Sequence, residues 1–244
     1  MNGEHHPAAP RRHMLEVVWR EVVGEKREGR ERSPASLERR SPSRSKRGGT
    51  LLSCGRRTGA YFVGLLRNLR LEERVTLSLC STEDPASIVE HGLQVCRTQG
   101  PFQRLYAVVC LDGGEGQRSH ALAAPDLRSV GYSFEFKLIS SIPSFALWLL
   151  LHWMDLPEES WRSAEHLSAW LDEQLARHLS AAVREDADLL FAAIGQSTAQ
   201  AVVRGQRLAR MRGRAATRMP VTDVHELVSY LLKLHNTSLR LRSQ

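Results

Sequence analysis

Leu105-Tyr106-Ala107-Val108-Val109-Cys110-Leu111 is an unbroken apolar run that stops at Asp112-Gly113-Gly114. A strand with one face in water alternates apolar and polar residues. One that is apolar throughout is covered on both faces, as in a parallel sheet sandwiched by helices. The neighbouring segments agree. Leu51-Leu52-Ser53-Cys54 is a short apolar run ending at Gly55, Val75–Cys80 alternates as a strand, and Phe134–Ile139 reads as another. Between them lie helical patterns. Ala60–Leu71 carries Phe62, Leu65, Leu66 and Leu69 at helical spacing, and Asp84-Pro85 opens a helix running to about Arg97. Pro85 stands early in that helix, where its missing N–H costs little. Strands alternating with helices predict right-handed crossovers and an α/β, Rossmann-like, mostly parallel sheet flanked by helices. Ser144 is expected to cap a helix over Phe145–Trp153. Beyond Asp155 the pattern is helical throughout, over Ser160–His178, Ala187–Arg212 and Val221–His235, with Thr222 or Asp223 near the start of the last. The expected organisation is a tail over residues 1–48, an α/β core over 49–156, a helical extension over 157–236 and a closing tail over 237–244.

The chain of 244 residues is 42% hydrophobic and 25% charged, enough apolar material for a sizeable core. No run of about 18 uncharged apolar residues is present, which argues against a membrane span. The charged start lacks the apolar segment of a secretion signal, so a cytoplasmic location is expected. Cys54, Cys80, Cys96 and Cys110 have no CxxC spacing. They read as reduced thiols serving as small hydrophobes, with neither zinc nor a disulfide framework implied. Of the net charge of +7, residues 1–50 hold +5 and the rest +2. Residues 1–48 alternate charge with Ser, Pro and Gly and offer little to bury, apart from a short helix over Met14–Glu25. This basic segment either touches phosphates or is a solvated leader or an over-called start.

In an open parallel sheet, function gathers at the C-terminal strand edges. Two loops qualify: Ser53-Cys54-Gly55-Arg56-Arg57-Thr58-Gly59 and Asp112-Gly113-Gly114-Glu115-Gly116. The first lacks GxxxxGK[ST], so it is no nucleotide-binding P-loop. Cys54 as a nucleophile is considered, since a helix N-terminus and two arginines would lower its pKa, but no base–orienter pair adjoins it. His152 and His225 lie in apolar helices and read as satisfied core histidines, with Trp148 and Trp153 as packing. Arg204, Arg207, Arg210, Arg212, Arg214 and Arg218 fall within fifteen positions without one Asp or Glu. Such a series fits phosphate contact, with a solvated helix end or an acidic protein partner as the competing reading.

The order of strand, Gly loop with Thr58, Tyr61-Phe62 helix, strand, Asp84-Pro85 helix and strand ending in Asp112 resembles the RloB-like family, whose core is of the Toprim type. More specific is Ile139-Ser-Ser-Ile-Pro-Ser-Phe-Ala-Leu-Trp-Leu-Leu-Leu-His-Trp153, similar to that family's "hSNPxFExWLLLHF" segment. Pro220-Val-Thr-Asp-Val-His-Glu-Leu-Val228 likewise resembles its closing "PxTxVHxLV" helix. The resemblance implies a bacterial or archaeal cytosolic protein of phage-defence or restriction-associated loci, working beside an SMC-like or AAA-type ATPase. It also implies Mg²⁺-dependent cleavage of DNA or RNA by clustered carboxylates.

Here the acidic pattern has decayed. Against the family's "CEGxxTE" loop, Cys54 and Gly59 stand where it has glutamates. Gly114 replaces the second acid of an Asp-x-Asp pair, and Ala146 the glutamate of "FExW". Only Asp112 survives, and Arg56 and Arg57 would oppose a cation. Glu115 either compensates in part, giving weak metal binding with Asp112, or belongs to a polar loop that holds no metal. The expectation is a catalytically impaired member with no cofactor (Mg²⁺ only if activity persists), acting through nucleic acid or a protein partner. Arg56, Arg57, Arg204, Arg207, Arg210, Arg212 and Arg214 are the candidate nucleic-acid contacts. The alternatives are an active nuclease using Asp112, Glu115 and carboxylates from elsewhere, and a scaffold without nucleic-acid contact.

Overall fold

A computed structural model describes residues 49–100, 102–111, 134–157, 164–212 and 220–242. Five strands, β1 (Gly49–Gly55), β2 (Val75–Cys80), β3 (Phe102–Cys110), β4 (Glu135–Ile142) and β5 (Val221–Thr222), form one sheet in the order β2-β1-β3-β4-β5. The first four are parallel, and β5 runs antiparallel to β4. This is the mostly parallel, Rossmann-like sheet that the unbroken 105–111 run predicts.

Helix α1 (Arg56–Leu69) links β1 to β2, and α2 (Pro85–Gln99) links β2 to β3. α1 begins four residues before the predicted Ala60, directly at the end of β1. It ends at Arg70, whose left-handed φ of 51° lets the Leu71 N–H return to the Leu66 carbonyl at 3.0 Å. α2 opens as predicted. The Asp84 carboxylate accepts the Ser87 N–H at 2.7 Å, with Pro85 at the first helical position.

Side-chain alternation divides the sheet into two faces. Leu51, Leu105, Ala107, Val109 and Leu111 pack with Ile88, Val89 and Leu93 of α2. Gly92 allows that closeness, since a Cβ there would lie 2.9 Å from Leu105 Cδ1. On the opposite face, the Thr50 hydroxyl meets the Tyr230 hydroxyl at 2.7 Å, and the Tyr106 and Tyr230 rings pack 5.3 Å apart.

The C-terminal half departs from the sequence reading in detail. The helix after β4 is α3 (Ala146–Leu150), continued by turns at Leu151–Trp153. Ser144 does not cap it with its side chain; only its carbonyl takes part, accepting the Leu147 N–H at 3.3 Å. Four elements follow: α4 (Ala164–His178), α5 (Ala181–Glu185), α6 (Ala187–Ile194) and α7 (Thr198–Arg212). The last two were predicted as one helix, but a 3-10 turn at Gly195–Ser197 divides them. Val221–Thr222 is a strand rather than the start of the last helix. That helix, α8, spans Val224–Arg242 and runs past the predicted end at His235. No helix among the described residues is long and apolar enough to cross a membrane.

Candidate functional site at the sheet edge

In the order β2-β1-β3-β4, the chain leaves β1 toward one side of the sheet and continues from β3 toward the other. The crevice outside the C-terminal ends of β1 and β3 is therefore the switch point where ligands of such sheets bind. β1 delivers Cys54 and Gly55 there, and α1 follows at once with Arg56, Arg57 and Thr58. β3 delivers Cys110 and Leu111. Asp112, Gly114 and Glu115 come next in sequence and lie outside the described residues.

Cys54 is fully buried. Burial first, and the negative charge of Glu83 second, push its thiol far above the ordinary range. The sulfur is a neutral packing atom, as the reading of the cysteines as small hydrophobes has it, and the helix terminus and two arginines do not lower its pKa. Gly59 is buried too, and a Cβ there would lie 2.6 Å from Leu79 Cδ2, so Leu79 fills that space. Ala146 is 8% exposed and packs in α3. Arg56 and Arg57 are exposed on the first turn of α1.

One carboxylate at this edge escaped the sequence reading. Glu83, in the loop between β2 and α2, accepts the Arg57 backbone N–H at 3.0 Å. A Cβ on Gly55 would overlap its carboxylate, so the absence of a side chain at 55 makes room for it. The acid sits where the positive end of the α1 dipole and an unpaired amide favour an anion. The available signal was the polar Ser81-Thr82-Glu83-Asp84 stretch at the edge of β2, a third strand-end loop beside the two considered.

The two motif segments that set the sequence apart meet on the far side of this edge. Ser141 pairs with Thr222 and Ile142 with Val221, across eighty residues of chain. The Ser141 and Thr222 hydroxyls, both buried, bond at 2.8 Å. Asp223 accepts the Ser140 hydroxyl at 2.7 Å, and its N–H returns to the Ser140 carbonyl at 2.8 Å. His225 Nδ1 donates to the Thr222 carbonyl at 2.9 Å. These segments fasten α8 to β4.

The arginine series divides. Arg204 donates to the Leu151 carbonyl at 2.7 Å, and Arg207 to Asp155 at 2.8 Å. Both hold α7 to the chain just after α3, so Arg204 is turned to a structural task rather than to a ligand. Arg210 is exposed. Arg212 ends α7 with its side chain outside the described residues, as are Arg214 and Arg218.

The described residues fit a hard divalent ion poorly. Mg²⁺ wants several oxygen donors in near-octahedral array. Cys54, Gly59 and Ala146, the described positions among those singled out from the sequence, offer a buried thiol, a glycine and a methyl group. The nearby Glu83 and Asp223 carboxylates already accept hydrogen bonds. Among the described residues, no group of three or more His, Cys, Asp or Glu is placed to hold a metal ion.

Strand order, crossovers and a switch-point crevice define a Rossmann-like α/β protein. The chain belongs to the RloB-like protein family, whose family model matches residues 55–231, from the last residue of β1 into α8. No curated protein and no solved structure matches it.

Proposed function

We propose that this RloB-like protein binds nucleic acid at the β1–β3 edge without cleaving it. The supporting observation is that described positions where the family resemblance implies acids hold Cys54, Gly59 and Ala146, while two arginines stand exposed beside them and Glu83 is bonded to the Arg57 amide. Cys54 lies sealed and neutral beneath the first turn of α1, while Arg56 and Arg57 stand exposed upon it. Phosphates take their affinity from such cations, whereas cleavage needs metal ions gathered by carboxylates. Arg210, which is exposed, Arg212, Arg214 and the basic residues within 1–48 are further candidate phosphate contacts in this reading. Membership of the family extends the proposal to a cytoplasmic role in phage defence or restriction, beside an SMC-like or AAA-type ATPase.

The test incubates the full chain with single-stranded and duplex DNA and RNA, with and without Mg²⁺ or Mn²⁺, and follows binding and integrity together. Salt-dependent binding with intact substrates is expected. Cleavage lost on Asp112→Asn or Glu83→Gln would establish a working nuclease instead. No binding at low salt would leave a protein scaffold.

A further inference from the structure

The two outer strands of the sheet differ. β5 is two residues long, whereas β2 offers six, Val75-Thr-Leu-Ser-Leu-Cys80, in unbroken register with β1. The Thr50 N–H donates to the Arg74 carbonyl at 3.2 Å and so sets the phase of the β1–β2 ladder. Thr76, Ser78 and Cys80 turn their backbone groups to β1, while Leu77 and Leu79 turn both N–H and C=O outward. Val75 faces outward too, but its N–H is taken by the Leu71 carbonyl at 2.9 Å. Among the described residues, nothing pairs with Leu77 or Leu79 on that side.

Proteins blunt such an edge with a lysine, a proline or a bulge, and β2 has none of these. It carries no charge from Val75 through Thr82. Its side chains divide by face. Leu79 is 44% exposed and lies on the α1 side, over Gly59, with half-buried Leu77 on the same face. Ser78 lies on the α2 side, its hydroxyl 2.8 Å from His91 Nε2.

We infer that β2 pairs antiparallel with β2 of a second copy of this chain, about a two-fold axis at Ser78. In that register Leu77 of each copy faces Leu79 of the other, and each pair exchanges both its outward hydrogen bonds. An axis at Leu77 would instead oppose Leu79 to Val75, whose N–H is already used. An axis at Leu79 would carry Leu77 past the end of the strand, to Ser81. On the α1 side the leucines meet, removing the exposed surface of Leu79 from water. On the α2 side Ser78 meets Ser78 and Thr76 meets Cys80, with no like charges opposed along the strands. The edge is its own complement in hydrogen bonds, polarity and charge, which singles out a second copy as its occupant. A two-fold pair closes on itself, so the product is a dimer rather than a fibre. Reversal of strand direction turns the two β1–β3 edges to opposite ends of the joined sheet, one for each copy.

Sedimentation of the full chain at micromolar concentration, without nucleic acid, tests this beside Leu79→Lys, Thr76→Lys and Ser78→Cys. Twice the chain mass is expected for the wild type, falling to the chain mass in either lysine variant, both at exposed positions. Ser78→Cys should form a disulfide-linked dimer under mild oxidation that the wild type does not form. Residues opposed in that way have Cα atoms about 4.5 Å apart, within reach of a disulfide. A wild-type monomer, leaving this edge to a strand of some other protein, would overturn the inference. So would a dimer that survives both lysines, or one that Ser78→Cys fails to link, since either places the contact on another surface. The cysteine measurement does not depend on the lysine variants folding.

Discussion

Acidifying the protein should cost stability through one residue, His152. Burial holds its pKa down at about 4, against 6.5 for an ordinary histidine. The bonds from Nδ1 to the Leu149 and Trp148 carbonyls oppose that shift, and the Arg204 guanidinium adds to it. The sign follows from proton counts. Between pH 6.5 and about 4, the unfolded chain protonates this histidine while the folded one does not, so the unfolded state binds more protons. Stability from this group is therefore complete above pH 6.5 and is lost as pH falls toward 4. Two and a half pKa units correspond to about 3 kcal/mol, a large part of what holds a domain together. Urea unfolding of the wild type and His152→Gln at several pH values between 4 and 7.5 isolates the effect. The variant cannot titrate at 152, so the gap between the two proteins should shift by about 3 kcal/mol in its favour over that range. A gap that stays constant with pH would show that His152 is not held neutral by burial, and the reasoning would fail.

Four further outcomes follow from the same geometry. Arg56→Ala with Arg57→Ala should weaken nucleic-acid binding for every sequence and flatten the salt slope by about 2, as two lost phosphate contacts require; an unchanged slope places binding elsewhere. Glu83→Gln should cost about 1 kcal/mol, because the α1 amide loses a charged acceptor, while nucleic-acid affinity rises; chemical denaturation and a binding isotherm read the two effects. Thr222→Val should cost about 1–3 kcal/mol by stranding the Ser141 hydroxyl, and adding Ser141→Ala should restore part of the loss in the same melts. Arg70→Gly should raise stability by about 0.5–1 kcal/mol, since φ is 51° there and only a side chain makes that conformation costly.

The sheet was legible because burial on both faces writes itself as continuous apolar sequence, as in 105–111, and because Asp84-Pro85 is a helix start by local chemistry alone. What escaped depended on distance. Val221-Thr222 reads as the first turn of an amphipathic helix, and only β4, eighty positions earlier, makes it a strand. The division between α6 and α7 likewise falls within a continuous helical pattern. At the site, missing acids at 54, 59 and 146 are what the resemblance to the family motif implies. Glu83 was not legible, because it reaches the α1 terminus through space from a different loop. Cys54 is the small buried hydrophobe that the sequence reading made it. A thiol beside two arginines in sequence looks activated, but depth in the sheet decides its ionisation.

Manganese soaked into crystals of the full chain, followed by an anomalous difference map, tests the proposed lack of a metal site most directly. The expected map has no peak at the β1–β3 edge bound by several protein carboxylates. A well-occupied ion there, with Asp112 and Glu83 or Glu115 among its ligands, would contradict the account.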